Sequence, residues 1–363
     1  MQLTRIAVLS ILAASAARAD GVLEVRGAYY KERSTRVEQP MIDAAFDAGE
    51  RGVVVGHFLV DSITSASQAT GTAAGEFTER RYEAGLGYTH ELPGRLKIGG
   101  DFRYSTESDY FSTWLDLHGE LALADQDLRL RVLVGHSFDK ITNGVAVDQG
   151  AIGTATIEHS LGVNLLSLGA TYLLTPDLVG AIGYDLGYLD GYQANVYRMV
   201  PGGSQPVPER VPTIRVRNAI GVELRGFLPS TRTTGVLAYH FYIDDWGVVA
   251  HTPEARVVQE LLPGLELRAR YRYYTQTKAD FYQTVYNQAQ LDDLGAHVTN
   301  DEKLSGFRTQ TLGGQLNITM ANLGFPGTFG KTRVDLIVER IWQDNSFGDA
   351  WVGQLGLTLP LVY

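Results

Sequence analysis

The chain has 363 residues, 44% hydrophobic and 20% charged, with a formal net charge of −10 and no cysteine. The acidic balance argues against a nucleic-acid partner, because phosphate binding needs a basic face, and the lack of cysteine excludes disulfides and thiolate metal sites. The high contents of glycine (40) and tyrosine (19) suit either a soluble all-β protein or a transmembrane β-barrel, in which only every second strand residue must be apolar.

The first nineteen residues are predicted to be a secretory signal peptide. Residues 1–5 carry one positive charge, residues 6–14 are apolar, and Ala17-Arg18-Ala19 is a small-x-small cleavage pattern before Asp20. No later run of 18 apolar residues follows, so no membrane helix is expected. We predict a single domain over residues 20–363, and a membrane-spanning domain without helices would have to be a β-barrel.

After the leader, polar and apolar residues alternate with the period of two that is typical of β-strands. The second predicted strand is the weakest, because Pro40 argues against a central position in a sheet. The predicted strands cover residues 21–33, 35–47, 53–61, 77–90, 95–106, 109–124, 127–139, 155–174, 178–191, 210–228, 233–244, 248–262, 265–275, 303–321, 331–342 and 351–363.

Connection lengths indicate how these strands are arranged. Mostly short connections near 48–51, 91–94, 125–126, 175–177, 229–232, 263–264 and 322–330 alternate with longer ones at 62–76, 140–154, 192–209 and 276–302. Short turns at one end and long loops at the other are typical of outer-membrane barrels. We therefore predict an all-β, antiparallel transmembrane β-barrel of about sixteen strands in the bacterial outer membrane. A barrel of this size can enclose an aqueous channel, and loops 140–154, 192–209 and 276–302 are expected to fold inward and narrow it.

The C-terminus predicts partners. Leu355, Leu357, Leu359, Leu361 and Tyr363 share one strand face, and an apolar last strand ending in an aromatic residue resembles the recognition signal of the barrel assembly machinery. The expected partners are this machinery, outer-membrane lipid, lipopolysaccharide and small solutes, with no nucleic acid.

Charged residues occupy one face of several predicted strands. In residues 265–273, Arg268, Arg270 and Arg272 alternate with leucine, alanine and tyrosine. Arginine facing lipid at the midplane costs about 2–4 kcal/mol, so these side chains are predicted to face the lumen. The lumen-lining candidates are Arg95, Lys97, Arg103, Arg129, Arg131, Arg215, Arg217, Arg225, Glu254, Arg268, Arg270, Arg272, Asp335 and Glu339.

Two interpretations of these charges are open. They could form a basic strip that, with opposing carboxylates, sets a transverse field and steers charged solutes. They could instead pair across neighbouring strands and only hold the wall together. The carboxylates available for either role are Glu223, Glu254, Glu260, Glu266, Asp335 and Glu339.

Several segments resemble the domain of unknown function 3570 family of bacterial outer-membrane β-barrel proteins. They are VDSITSAS at 60–67, the Arg80–Arg81 pair, STESDY at 105–110, YHFYIDDWGVVAHT at 239–252, RYYTQTKADFY at 272–282 and DEKLSGFRTQT at 301–311. The resemblance implies a bacterial outer-membrane barrel of unassigned function, and it implies no catalytic residues.

Signals for chemistry are weak. His240 and His251 flank the Asp244-Asp245 turn, but neither a G-x-S-x-G nor an H-E-x-x-H motif is present. The Asp292-Asp293 and Asp301-Glu302 groups could bind Ca²⁺ but lack the EF-hand spacing. We predict no enzyme activity, no catalytic residue, no metal site and no cofactor.

The aromatic residues Tyr271, Tyr273, Tyr274, Tyr282, Trp246 and Trp351 are interpreted as girdles at the membrane interfaces, with a sugar-stacking track as the alternative. The favoured function is a porin-like channel for passive passage of small solutes. The first alternative is a structural or assembly barrel that serves as a sleeve or anchor for an exported or periplasmic partner. The second is an enzyme with its site at the barrel rim.

Overall fold

A computed structural model describes residues 20–65, 77–143 and 157–361. Within them, sixteen strands close into one barrel in which every strand is antiparallel to both neighbours, and a separate pair of short strands lies in a loop. The predicted fold class is therefore confirmed. The predicted signal peptide and Tyr363 lie outside the described residues, as does most of loop 140–154.

The barrel strands follow one another around the wall in chain order, and β1 closes on β18. The elements are β1 Gly21–Lys31, β2 Thr35–Ala48, β3 Gly52–Ser65, β4 Phe77–Leu92, β5 Leu96–Thr106, β6 Tyr110–Leu123, β7 Leu128–Asn143, β8 Ile157–Thr175, β9 Leu178–Gly191, β10 Met199–Val200, β11 Val207–Pro208, β12 Ile214–Leu228, β13 Thr233–Asp244, β14 Val249–Leu262, β15 Leu265–Gln276, α1 Gln288–Asp292, β16 Phe307–Thr319, α2 Gly327–Gly330, β17 Arg333–Gln343 and β18 Ala350–Leu361.

The weakest predicted strand is present. Pro40 lies in β2 opposite Gly27 of β1, while the pairing of β2 with β3 passes from Glu38 to Met41. Proline has no N–H to donate to a ladder, and the interruption on one side of β2 accommodates it.

The two faces of the wall differ as the period of two requires. Large apolar side chains on alternate positions face outward and are strongly exposed, among them Leu117 at 74%, Leu237 at 63% and Phe138 at 60%. Such a band on a soluble protein would be an aggregation liability, whereas in a bilayer it is the lipid-facing belt. No helix within residues 20–65, 77–143 and 157–361 is long and apolar enough to cross a membrane.

The best-packed apolar core lies at one end of the barrel, in the long loops and the β13–β14 turn beside them. One cluster joins Val200, Tyr286, Leu291 and Val298, and a second joins Trp246, Val248, Ala279 and Tyr282. The connection 192–213 contains β10 and β11, and the connection 277–306 contains α1. We call these two connections together the cap. These apolar residues are buried because they pack against one another.

Candidate functional site

Strand register places the predicted lumen candidates, with one exception, on the inner face of the wall. The exception is Arg95, which was predicted to open a strand. It lies in the turn before β5 with a positive φ of 66°, and its Nη1 is 3.8 Å from a carboxylate oxygen of Asp125 at the short-turn end. Arg95 therefore lies outside the strand, because the turn that reverses the chain ends one residue later than the alternation suggested.

The middle of the wall between β12 and β17 carries a continuous chain of opposite charges. Arg270 of β15 donates to Glu254 of β14 at 2.8 Å and to Glu339 of β17 at 2.8 Å and 3.0 Å. Arg256 lies 3.0 Å from Glu254 and donates to Glu223. Glu223 also accepts from Arg225 at 2.8 Å. Two links pass over an intervening strand, as expected on the concave side of a barrel. This chain is called the central charge chain.

The arginines above and below Arg270 on β15 are bound differently. Arg268 donates to the amide oxygen of Gln315 at 3.1 Å. Arg272 has no carboxylate within 4.0 Å among the described residues. Arg270 therefore has the structural role that the pairing interpretation predicts, while Arg268 and Arg272 keep cationic groups that are not neutralised by a contacting carboxylate.

The opposite wall, on β2 to β6, carries carboxylates and histidines. His57 Nδ1 lies 2.5 Å from Asp43 and Nε2 lies 3.7 Å from Glu83. His118 Nδ1 lies 3.1 Å from Asp116 and 3.4 Å from Asp101. We call these six residues the acidic wall. Strands β5 and β15 are half a barrel apart in the strand order, so the acidic wall faces the arginines of β15 across the lumen.

A recess of about 390 Å³ lies against the acidic wall. Gly87 makes room in it, because a Cβ at this position would lie 1.9 Å from Oδ1 of Asp101. Ala45 and Gly85 also line the recess, so small residues leave space inside the wall where the carboxylates are concentrated.

Sequence reasoning missed the acidic wall, although its signal was present. Asp43 and His57 each interrupt an apolar strand at an inward position, and the register aligns them directly. A single polar residue in an apolar strand is a weaker pattern than a run of alternating arginines.

The cap is anchored on the arginine side of the barrel. Arg215 Nε donates to Asp244 at 2.9 Å, and its guanidinium lies 4.1 Å from the centre of the Trp246 ring. Trp246 is only 5% exposed and Tyr282 only 7%, so the prediction that they belong to interfacial girdles was wrong. Their rings fill the core of the cap, whereas Tyr271 and Trp351 are outward and exposed as a girdle requires.

The cap extends across the mouth. Tyr197 donates to Asp109 in the connection between β5 and β6, and Asn195 shares a cavity with Tyr30 of β1. Since β9 and β1 are half a barrel apart, this cavity can be shared only if the loop after β9 crosses the opening. Burial, followed by repulsion from neighbouring carboxylates, raises the pKa of Glu107 beside this contact to about 7.

A buried carboxylate holds the two halves of the cap together. Glu209 accepts from the hydroxyl of Thr299 at 2.5 Å and from the backbone N–H of Asn195 at 2.6 Å. Arg198 lies 3.3 Å from Glu209 and 3.2 Å from Asp301. Burial raises the pKa of Glu209 in spite of these donors.

The residues considered for enzyme or metal chemistry do not converge. His240 pairs with Thr252 and His251 with Phe241, so the two histidines face opposite sides of the wall, and His251 contacts the hydroxyl of Tyr239 at 2.6 Å. The loop acids serve local structure: Asp301 pairs with Arg198 at 3.2 Å, and Asp292 accepts from Gln288 at 2.7 Å. Side chains of metal-ligand type that do converge, among the described residues, are Glu79 with Glu107 and Asp109, and Asp101 with Asp116 and His118.

Comparisons with known proteins agree with this geometry. Residues 73–339 match the family described as "Protein of unknown function (DUF3570)". No curated protein matches the sequence.

Solved structures share the fold at low sequence identity. CdiB from Acinetobacter baumannii superposes with a TM-score of 0.55 at 8% identity, covering 94% of this chain and 60% of that chain. A bacterial polysaccharide outer membrane secretin has a TM-score of 0.53 at 7% identity, covering 94% and 98%. OccD3 (OpdP) from Pseudomonas aeruginosa has a TM-score of 0.50 at 11% identity, covering 95% and 91%. At these identities the likeness establishes the fold alone. The closed barrel and its outward apolar belt make this protein an outer-membrane β-barrel.

Proposed function

The chain belongs to the DUF3570 family, and from that premise and the geometry of its barrel we propose that it is a porin-like channel for the passive passage of small solutes. The observation that carries the proposal is the inner face, where cationic arginines on β15 oppose the acidic wall on β2 to β6. A wall built only for stability would pair its charges locally, as the central charge chain does. Arg268 and Arg272 have no carboxylate within 4.0 Å among the described residues, and they face carboxylates that lie against histidines. Charges of opposite sign on facing walls create a transverse field that orients polar solutes.

The cap supplies the constriction that such a channel needs. It is anchored beside Trp246 and reaches the opposite rim through Tyr197, so a solute must pass around it. Tyr197 is the contact through which the cap meets the β5–β6 rim, and its loss would widen the passage.

Planar-bilayer recording of the purified, folded barrel tests the proposal. We expect stepwise ion conductance, and a larger unit conductance for Tyr197→Phe, which removes the hydroxyl donor and keeps the ring. Absence of current from protein that is shown to be folded by its heat-modifiable migration would overturn the channel proposal.

One observation favours a second function, a sleeve or anchor for an exported or periplasmic partner. The cap has its own packed core and lies across the mouth, as a permanently closed barrel would require. In that case the wild-type protein gives no ion current in the bilayer, and a variant with an opened cap, such as Tyr286→Ala, does conduct ions. A stable protein that co-purifies with the closed barrel would then identify this second function.

A further inference from the structure

A second cavity, of about 720 Å³, lies at the long-loop end between the cap and the rim. Its walls come from three directions: the cap, the outer ends of β1 to β3, and the connection between β17 and β18. This volume falls in the range of sites that hold small organic ligands. We call it the mouth cavity.

The mouth cavity has balanced charge. Its acidic residues are Glu32, Asp301 and Glu302, and its basic residues are Arg33, Arg198 and Lys303. Half-buried Arg198 lies 3.2 Å from half-buried Asp301, and buried Glu32 accepts from the hydroxyl of Tyr30 at 2.6 Å. Arg33 and Lys303 are exposed at the rim. The three acidic and three basic residues together give the lining no net charge, so it does not favour an ion of either sign.

Side-chain amides are the groups still in need of partners. Asn300 and Asn345 both line the mouth cavity. Buried Oδ1 of Asn300 and buried Nδ2 of Asn345 have no hydrogen-bond partner in the described protein. An unmet donor and an unmet acceptor are costly when buried, and a small rotation of each amide would direct it to a ligand in the cavity. A hydroxyl group both donates and accepts, so it can pair with the oxygen of Asn300 or with the amide nitrogen of Asn345.

Aromatic rings complete the lining. Tyr30, Phe307 and Phe347 contribute to the mouth cavity, and rings of this kind pack against the apolar C–H faces of a pyranose while amides bind its hydroxyls. The lack of net charge, the unpaired amides and the aromatic rings together fit an uncharged, hydroxyl-rich ligand better than an ion.

We propose that the mouth cavity binds an uncharged, hydroxyl-rich solute of one or two sugar units. The site lies on the path of a solute if the proposed channel function holds, but binding to the mouth cavity does not require conduction.

Isothermal titration calorimetry on the full-length barrel in detergent tests the proposal. The probes are glucose, galactose, mannose, sucrose and maltose, with glutamine and citrate as zwitterionic and anionic comparisons. We expect saturable binding of at least one sugar with Kd below about 10 mM, and at least about tenfold weaker binding of glutamine and citrate. Saturable binding of no sugar, or equal binding of glutamine or citrate, would overturn the assignment.

A double variant locates the site. Asn300→Ala with Asn345→Ala should weaken the sugar about tenfold or more, since two amide partners are lost. The matched control is Asn322→Ala, an amide at the short-turn end that donates to Pro263 at 3.0 Å, and it should leave the affinity unchanged. Equal affinity of the double variant and wild type contradicts the site.

Bilayer recordings on the same preparations separate this proposal from the channel proposal. Current without sugar binding leaves the channel in place and removes the binding site. Sugar binding without current keeps the site and removes the channel.

Discussion

The barrel wall and the cap are stabilised in different ways. The wall is a closed ladder of backbone hydrogen bonds, with apolar side chains left for lipid outside and charges that pair across strands inside. The cap is a small globular unit with side chains that are almost wholly buried, such as Val200 and Val298 at 0% exposure. We therefore expect the wall to tolerate the loss of a side chain that the cap cannot.

The largest expected loss of stability comes from a substitution that creates a cavity in the cap. Tyr286 is 3% exposed, and its hydroxyl donates to the carbonyl of Thr299 at 2.9 Å and accepts from the Thr299 N–H at 2.8 Å. Tyr286→Ala should destabilise the cap by about 3–5 kcal/mol, as for other large-to-small core substitutions. Hydrogen exchange within 192–213 and 277–306 would rise while the barrel strands stay protected.

Tyr271→Ala is the matched control for this change. Tyr271 is 45% exposed on the outward face, so its truncation creates no cavity in the cap. Equal exchange in the cap for both variants, or loss of protection in the barrel strands of Tyr286→Ala, would contradict the separation of wall and cap.

Much of the wall was predictable and little of the cap was. Period-two alternation is a local property, so even the strand interrupted by Pro40 could be identified, and the inward position of Arg268, Arg270 and Arg272 followed with it. The cap depends on contacts such as Thr299 with Glu209, which are 90 residues apart and leave no periodic signal. Loop aromatics such as Trp246 were for the same reason assigned to the membrane interface.

The next largest effect distinguishes paired from unpaired arginines within the wall. Arg270→Leu leaves Glu254 and Glu339 without their shared partner and should lower stability by about 1.5–3 kcal/mol, the range for hydrogen bonds to charged groups. Arg272→Leu removes no ion pair among the described residues and should cost less than about 1 kcal/mol. Urea titrations, monitored by the shift from folded to unfolded migration in gel electrophoresis, measure the free energy of unfolding of both variants.

Both substitutions should move ion selectivity towards cations. Removing one charge about 4 Å from a passing ion changes its energy by about 1 kcal/mol in water, or about fivefold in relative permeability. Reversal potentials in a salt gradient measure the change. Unchanged selectivity in Arg270→Leu would assign that arginine to wall stability alone, and unchanged selectivity in both would remove the steering role of β15.

A smaller effect is expected from the recess beside the acidic wall. Gly87→Ala would place a methyl group 1.9 Å from the present position of Asp101 Oδ1, so the carboxylate must turn away. The expected cost is about 1–3 kcal/mol, as for overpacking, measured by the urea midpoint. Gly353→Ala is the control, because nothing lies within 4 Å of its added Cβ, and an equal loss in both variants would contradict the close packing of Asp101.

The smallest expected effect is a pH dependence of the contact between cap and rim. The pKa of Glu107 is raised from 4.5 to about 7, so the folded state binds a proton more tightly than the unfolded state does. The stabilisation from protonated Glu107 is complete below pH 4.5 and is lost as the pH rises to about 7. Ionised Glu107 then repels Asp109, which holds Tyr197 of the cap, and the cap should move more freely at pH 8 than at pH 5.

The absence of native cysteine allows this movement to be measured with two spin labels. Ser204→Cys places one label on the cap and Ser346→Cys places the other on the exposed β17–β18 connection. The distance distribution should broaden between pH 5 and pH 8, and Glu107→Gln, which stays neutral, should keep it narrow throughout. A distribution that broadens equally in the Glu107→Gln variant would show that another group controls the contact, since the amide has no proton to lose in this range.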